Sequence, residues 1–351
     1  MQQPKRPILI VGIFAVAIAF TFIVGWLSTR FRSEANQQTK PLSTSQFLTQ
    51  VADIPLPGGS SRFDYQSLDE RTGRLYIAHL GAGKVAVFDT KTHKVISEIE
   101  GLPGVHGVLA ISGLNRVYAS ATDVNKLAAI DAKTLNIITF TPTGHYPDGI
   151  AYDPDDKKVF VSNQFGHSNT VVDMPTNQSM ATIDLGGEVG NTQYDSVFHR
   201  ILAAVQTRNQ VVSVNPKTNQ VVDRYDVPGC EHPHGLLIDA ANRFAFTACE
   251  DNAKLVTFSL KTMQVLSTHS VGDSPDVLAL DRSLHRLYVA SESGVVSIFQ
   301  EQGKTLVKLE DVLVDPRAHS VAVDSQTHKV YFPLERVGNQ PVLRILTAKL
   351  K

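Results

Sequence analysis

Past residue 45 the chain alternates apolar and polar positions with a period of two, in short runs bounded by Gly, Pro, Asn and Asp. Arg74-Leu-Tyr-Ile-Ala and Lys158-Val-Phe-Val-Ser are typical runs. Successive side chains on a strand point to opposite faces, so this pattern predicts antiparallel strands; no helical stripe competes with it. The segment PDGIAYDPDDKKVFVSN, which ends at Asn163, recurs as HGVLAISGLNRVYAS from His106 and HGLLIDAANRFAFTAC from His234. It returns as DVLALDRSLHRLYVAS from Asp276 and HSVAVDSQTHKVYFP from His319, with divergent copies at Asp64 and Gly190. The anchor positions 64, 106, 148, 190, 234, 276 and 319 are separated by 42, 42, 42, 44, 42 and 43 residues.

Each unit reads as four strands. The first is apolar and ends near an Asp (Asp69, Asp153, Asp195, Asp239, Asp281, Asp324), and the others are separated by polar turns. Seven such units predict an all-β fold, a seven-bladed β-propeller of four-stranded antiparallel blades over residues 46–351. The seventh unit stops after its third strand, near Thr347, whereas residues 46–57 look like a fourth strand with no unit before them. Residues 46–57 are therefore expected to supply the outer strand of the last blade and close the ring, leaving no open edge.

Ahead of the repeats lies Ile8 to Leu27, an uncharged apolar run of twenty residues. At ~1.5 Å per residue it spans ~30 Å, the thickness of a hydrocarbon core. Lys5 and Arg6 precede it, Arg30 and Arg32 follow it, and Trp26 sits at its outer end. Residues 1–32 are expected to be a signal-anchor with one transmembrane helix; a cut after Ala35 is the alternative. Residues 33–45 are polar and without period, which predicts a flexible tether. The membrane, met through residues 8–27, is thus an expected partner.

Composition narrows the chemistry. With 33 Lys+Arg against 34 Asp+Glu the net charge is −1, so no basic field holds a polyanion and no nucleic acid is expected. Two cysteines exclude a four-Cys zinc site or a disulfide-built fold. No CxxCH, GxSxG, Walker A or GxGxxG in a strand–helix context occurs. Asn177-Gln-Ser179 is a lone glycosylation sequon. Only one Trp is present, in the apolar run, which argues against WD40 blades.

The unit PDGIAYDPDDKKVFVSN, followed by Val/Phe-x-Asp-x-Lys-Thr, resembles the YVTN-repeat, YncE-like propellers over about residues 46–350. The resemblance implies an extracytoplasmic propeller. It specifies fold well and activity poorly.

Equivalent positions of a propeller form a ring around the channel. The anchor ring holds Asp64, His106, Asp148, Gly190, His234, Asp276 and His319, with His145 and His232 just ahead in their loops. Two readings stand. Alternating carboxylates and imidazoles can tie neighbouring blades together. Alternatively they form a binding site at one channel mouth, for a protein or small-molecule ligand. A divalent metal, Zn²⁺ or Cu²⁺, would take His232, His234, Asp276 and His319 from adjacent blades. Glu250, Glu292 and Glu335 follow the second strand in the same three blades, as solvated acids or as further ligands.

Cys230 and Cys249 flank one hairpin, and antiparallel pairing brings them together. A disulfide there would fit an oxidising compartment. Two separate thiols, or a Cys/His metal site with His232 and His234, are the alternatives. The expected function is a membrane-anchored extracytoplasmic binding or scaffold module. The alternative is a metal-dependent lactonase or lyase, of the kind in which a propeller holds a metal and a catalytic His on its axis. There His234 or His319 would be the base and Asp276 a ligand or orienter.

Overall fold

A computed structural model describes residues 39–350. It forms seven antiparallel sheets of four strands, with one extra strand on the sixth. The inner strands are Gln66–Asp69, Val105–Ile111, Pro147–Asp153, Val189–Asp195, Pro233–Asp239, Pro275–Asp281 and Ala322–Asp324, in blades one to seven.

Burial explains the order within a blade. In blade five the second strand, Phe244–Cys249, is buried at every position, whereas the outer strand, Val265–Ser270, alternates between half-buried and exposed. Middle strands pack against blades on both sides and so read as continuous apolar runs; outer strands meet water on one side. The core lies between blades. Tyr76, Val85 and Ile99 of blade one, for example, pack on Val105, Val117 and Ile130 of blade two. The aromatic that recurs at the middle of the second strand (Tyr76, Tyr118, Phe160, Phe246, Tyr288, Tyr331) is fully buried in six blades.

Two recurrent polar residues set local geometry. The Asp ending the inner strand accepts backbone N–H groups two and three residues on, as Asp281 does from Ser283 and Leu284, which fixes the turn. The basic residue opening the second strand reaches a backbone carbonyl of the next blade: Arg74 to Ala132, Lys158 to Pro216, Arg200 to Leu260 and Arg286 to Lys349.

Leu48–Pro55 is the outer strand of blade seven, pairing antiparallel with Gln340–Ala348 from Leu48↔Ala348 to Pro55↔Val342. Arg344 holds Asp53 through two hydrogen bonds of 2.9 and 2.7 Å. Residues 40–45, expected to belong to a tether, are instead part of the folded body. Lys40–Pro41 pairs parallel with the outer strand of blade six. The buried Glu310 carboxylate accepts hydrogen bonds from Lys40 Nζ, Ser45 Oγ at 2.6 Å and the Gln46 backbone. A polar stretch satisfies a buried acid as readily as it solvates a linker, so composition alone does not separate the two. The anchor expected over residues 1–32, with its helix over 8–27, lies outside the described residues. Among the described residues no helix is long and apolar enough to cross a membrane.

Candidate functional site at the channel mouth

His106, Asp148, Gly190, His234 and Asp276 are the second residues of their inner strands; Asp64 and His319 shortly precede theirs. Equivalent positions put them at one end of the channel. His319 Nδ1 lies 2.7 Å from Asp276 Oδ2, and His234 Nε2 lies 3.4 Å from Asp276 Oδ1, so blades five, six and seven meet there. The other nitrogen of His319 donates to the Phe63 carbonyl at 3.1 Å, which adds blade one. On the far side His106 bonds the Gly104 carbonyl at 2.7 Å and the Tyr146 hydroxyl at 3.1 Å.

Gly190 interrupts the ring for a steric reason. A Cβ there would stand 2.7 Å from the His234 carbonyl oxygen and 2.9 Å from its Cα. Any side chain at Gly190 would displace His234.

The repeat does not single out Tyr65. It comes from blade one, yet its hydroxyl lies 3.4 Å from His234 Nε2 of blade five, so the ring reaches across the axis. Its signal is size. The residue after the anchor is Gly107, Gly149, Asn191, Gly235, Val277 or Ser320 elsewhere, and Tyr only here. Arg62 is equally unmarked by the repeat. It lies 2.6 Å from Glu292 and 3.9 Å from Asp64. Gln206, also unmarked, sits 2.6 Å from His234 Nδ1; its oxygen accepts from Gln164, which leaves its amide N–H for the imidazole.

Charge dominates the mouth. Asp64 and Asp148 are 4% and 3% exposed. Burial pushes the Asp148 carboxyl up to about 6; His106 and His234 oppose this, and Asp64 and Asp276 add to it. Burial likewise raises Asp64, against the pull of His106. Asp276 goes the other way. Burial would raise it, but the His319 hydrogen bond and the charge of His234 outweigh burial and lower it. Burial opposes protonation of His234 and His319, yet Asp276 and the neighbouring acids leave both raised. One oxygen each of Asp148 and Asp276 is buried without a hydrogen bond.

The residues expected to share a metal are only partly together. Asp276 and His319 join Glu292, with one donor atom each, all within 4.8 Å of one another. His234 stands beside Asp276. His232 is farther out on the rim, bonded to Glu250 at 3.0 Å; that bond raises the imidazole and lowers the carboxyl. Glu335 pairs with Arg317 at 2.9 Å instead. His145 belongs to an aromatic group with Tyr146 and the exposed Phe165. Cys230 and Cys249 form a disulfide with Cα atoms 5.2 Å apart, so neither is a metal ligand.

The fold and this mouth define a seven-bladed β-propeller with an ionisable ring at one end of its channel. No protein-family model matches the chain. Over 96 residues it is 31% identical to the uncharacterized protein YncE of Salmonella typhi and to that of Salmonella typhimurium. That stretch is 27% of this chain and 27% of each relative, so the match spans about a quarter of their length. With the blade count, the match supports a likeness to YncE-type propellers. Among solved structures it is similar to a streptogramin B lyase, with TM-score 0.72 and 13% identity over 86% of this chain and 98% of that one. Hydrazine synthase of Kuenenia stuttgartiensis gives 0.70 and 14%, over 83% and 96%. U3-55K gives 0.71 and 11%, over 85% and 98%. Likeness at these identities shows the propeller fold and leaves activity open.

Proposed function

We propose that this chain is a membrane-anchored, extracytoplasmic binding propeller that takes a cationic ligand at the His/Asp mouth. The observation that carries the reading is the buried acid Asp148. It has a buried oxygen with no hydrogen bond, whereas the neighbouring Asp64 is already paired with Arg62 at 3.9 Å. Burying a carboxylate without a partner costs stability, and a fold that retains one commonly does so for function. A bound cation would supply the missing charge. The exposed Phe165 beside Tyr146 offers an apolar rim for a cation that carries hydrocarbon.

The apolar run over residues 8–27 supports the anchor, and the disulfide suits an oxidising compartment. Membrane fractionation tests the anchor: full-length protein should stay with the membrane after alkaline carbonate washing. Release into the wash would contradict it. For the mouth, thermal shifts of the full-length protein with spermidine, choline and divalent chlorides are the test. At least one should stabilise the wild type and leave Asp148→Asn unaffected. Equal shifts in both proteins, or none in either, would sink the reading.

A second reading is a metal-dependent lyase or lactonase. The convergence of Asp276, Glu292 and His319 favours it, and one similar solved structure is a lyase.

A further inference from the structure

We propose that Asp276, Glu292 and His319 bind one divalent first-row cation, Zn²⁺ or Mn²⁺, with coordination positions left open toward the channel. This rests on the mouth being a ligand site and names a component of what it holds.

The orientation of His319 is the main argument. A carbonyl only accepts, so the nitrogen facing Phe63 at 3.1 Å carries the hydrogen. Nδ1 is then the atom turned to Asp276 Oδ2 at 2.7 Å and Glu292 Oε1 at 3.5 Å. Metal-ligating imidazoles are held in this way, the second N–H fixed by a carbonyl or carboxylate so that the free lone pair faces the ion. A cation replaces the proton between Nδ1 and the acids. Metal–ligand bonds of about 2.0–2.2 Å set neighbouring donors roughly 3–3.5 Å apart, so the Nδ1–Oδ2 contact opens slightly and the Glu292 contact is already right.

Two further observations favour a cation at this mouth. Asp276 Oδ1 is buried without a hydrogen bond, although His234 Nε2 is 3.4 Å away. Asp148, only 3% exposed, also has an oxygen with no partner at the same mouth. One nitrogen with carboxylate oxygens suits Zn²⁺ or Mn²⁺ better than the all-oxygen shells of Mg²⁺ and Ca²⁺. Three protein ligands leave room for a ligand atom.

Arg62 is the competitor. Its guanidinium lies 2.6 Å from Glu292 Oε1, but the side chain is 38% exposed and has solvent to turn into. Metal binding must move it, so removing it should help.

The test is calorimetric titration of chelator-stripped full-length protein with ZnCl₂, MnCl₂ and MgCl₂, with metal counted by mass spectrometry. The wild type should bind one Zn²⁺ or Mn²⁺ more tightly than Mg²⁺. Glu292→Gln and Asp276→Asn should weaken it at least ~10-fold, the scale typical of losing support at a metal site. Arg62→Ala should tighten it. His319→Ala also removes the bond to Phe63, so the decisive variants are those at Glu292 and Asp276, with circular dichroism to check folding. Absence of stoichiometric binding, or binding unchanged in those two variants, would overturn the site. If metal binding fails while an organic cation still stabilises the wild type and not Asp148→Asn, the mouth reading survives and the metal site alone falls.

Discussion

Glu301, on the third strand of blade six, faces Asp239 at the end of the inner strand of blade five, and Asn242 donates to both. Burial pushes the Glu301 carboxyl up to about 7, and the charge of Asp239 adds to it. A raised acid binds its proton more tightly folded than unfolded, so its contribution is present below the ordinary glutamate range and lost as pH rises toward 7. Chemical denaturation from pH 4.5 to 7.5 should therefore show a fall of up to ~3 kcal/mol that Glu301→Gln lacks. Matching pH profiles would refute the assignment. No repeat position marks Glu301, because its partner comes from another blade. The ring is legible for the opposite reason: a repeat puts like-numbered residues in like places, so Asp276 and His319 can be read as neighbours. Tyr65 and Arg62 cannot. What they touch is set by closure of the whole circle, and three similar loop glutamates do not reveal that Glu292 alone faces His319.

Closure by Leu48–Pro55 is legible because a strand-like segment precedes the first unit while the last lacks one. Docking of Lys40–Pro41 is not, since two residues carry no period. Removing residues 1–38 should leave the propeller's melting unchanged, whereas removing residues 1–57 should lower it sharply. Equal melting of the two would refute the closing role. Arg344, on the neighbouring strand Gln340–Ala348, holds the closing strand through Asp53 and reaches the loop before blade seven through Asp315 and the Val314 carbonyl. Arg344→Met should cost roughly 2–4 kcal/mol, because it strands Asp53 and Asp315 without their cation; denaturant melts would show it, and a loss under about 0.5 kcal/mol would contradict it. In blade five, Cys230 and Cys249 close a loop with a separation of 19 residues. Unreduced peptide mapping should recover the linked pair, and Cys249→Ser with Cys230→Ser should cost about 2–4 kcal/mol. Free thiols in exported protein would count against both the bond and the compartment.

At the scale of the whole molecule, seven blades bring residues far apart in sequence to one small opening, and the open question is whether the ring there is structural or serves a ligand. The two roles differ in sign. A carboxylate that ties blades together stabilises the fold, so neutralising it lowers stability. One held without a partner for a ligand costs stability, and neutralising it relieves the fold while abolishing binding. Asp148 is the residue to ask, since its carboxyl is pushed up to about 6 and is therefore ionised against burial at neutral pH. The measurement is paired denaturant melting and cation titration of wild type and Asp148→Asn at pH 7.5. If the ring serves a ligand, the variant is more stable by about 1 kcal/mol or more and no longer responds to the cation that stabilises the wild type. A variant that is less stable and binds that cation as well as the wild type would contradict the ligand role.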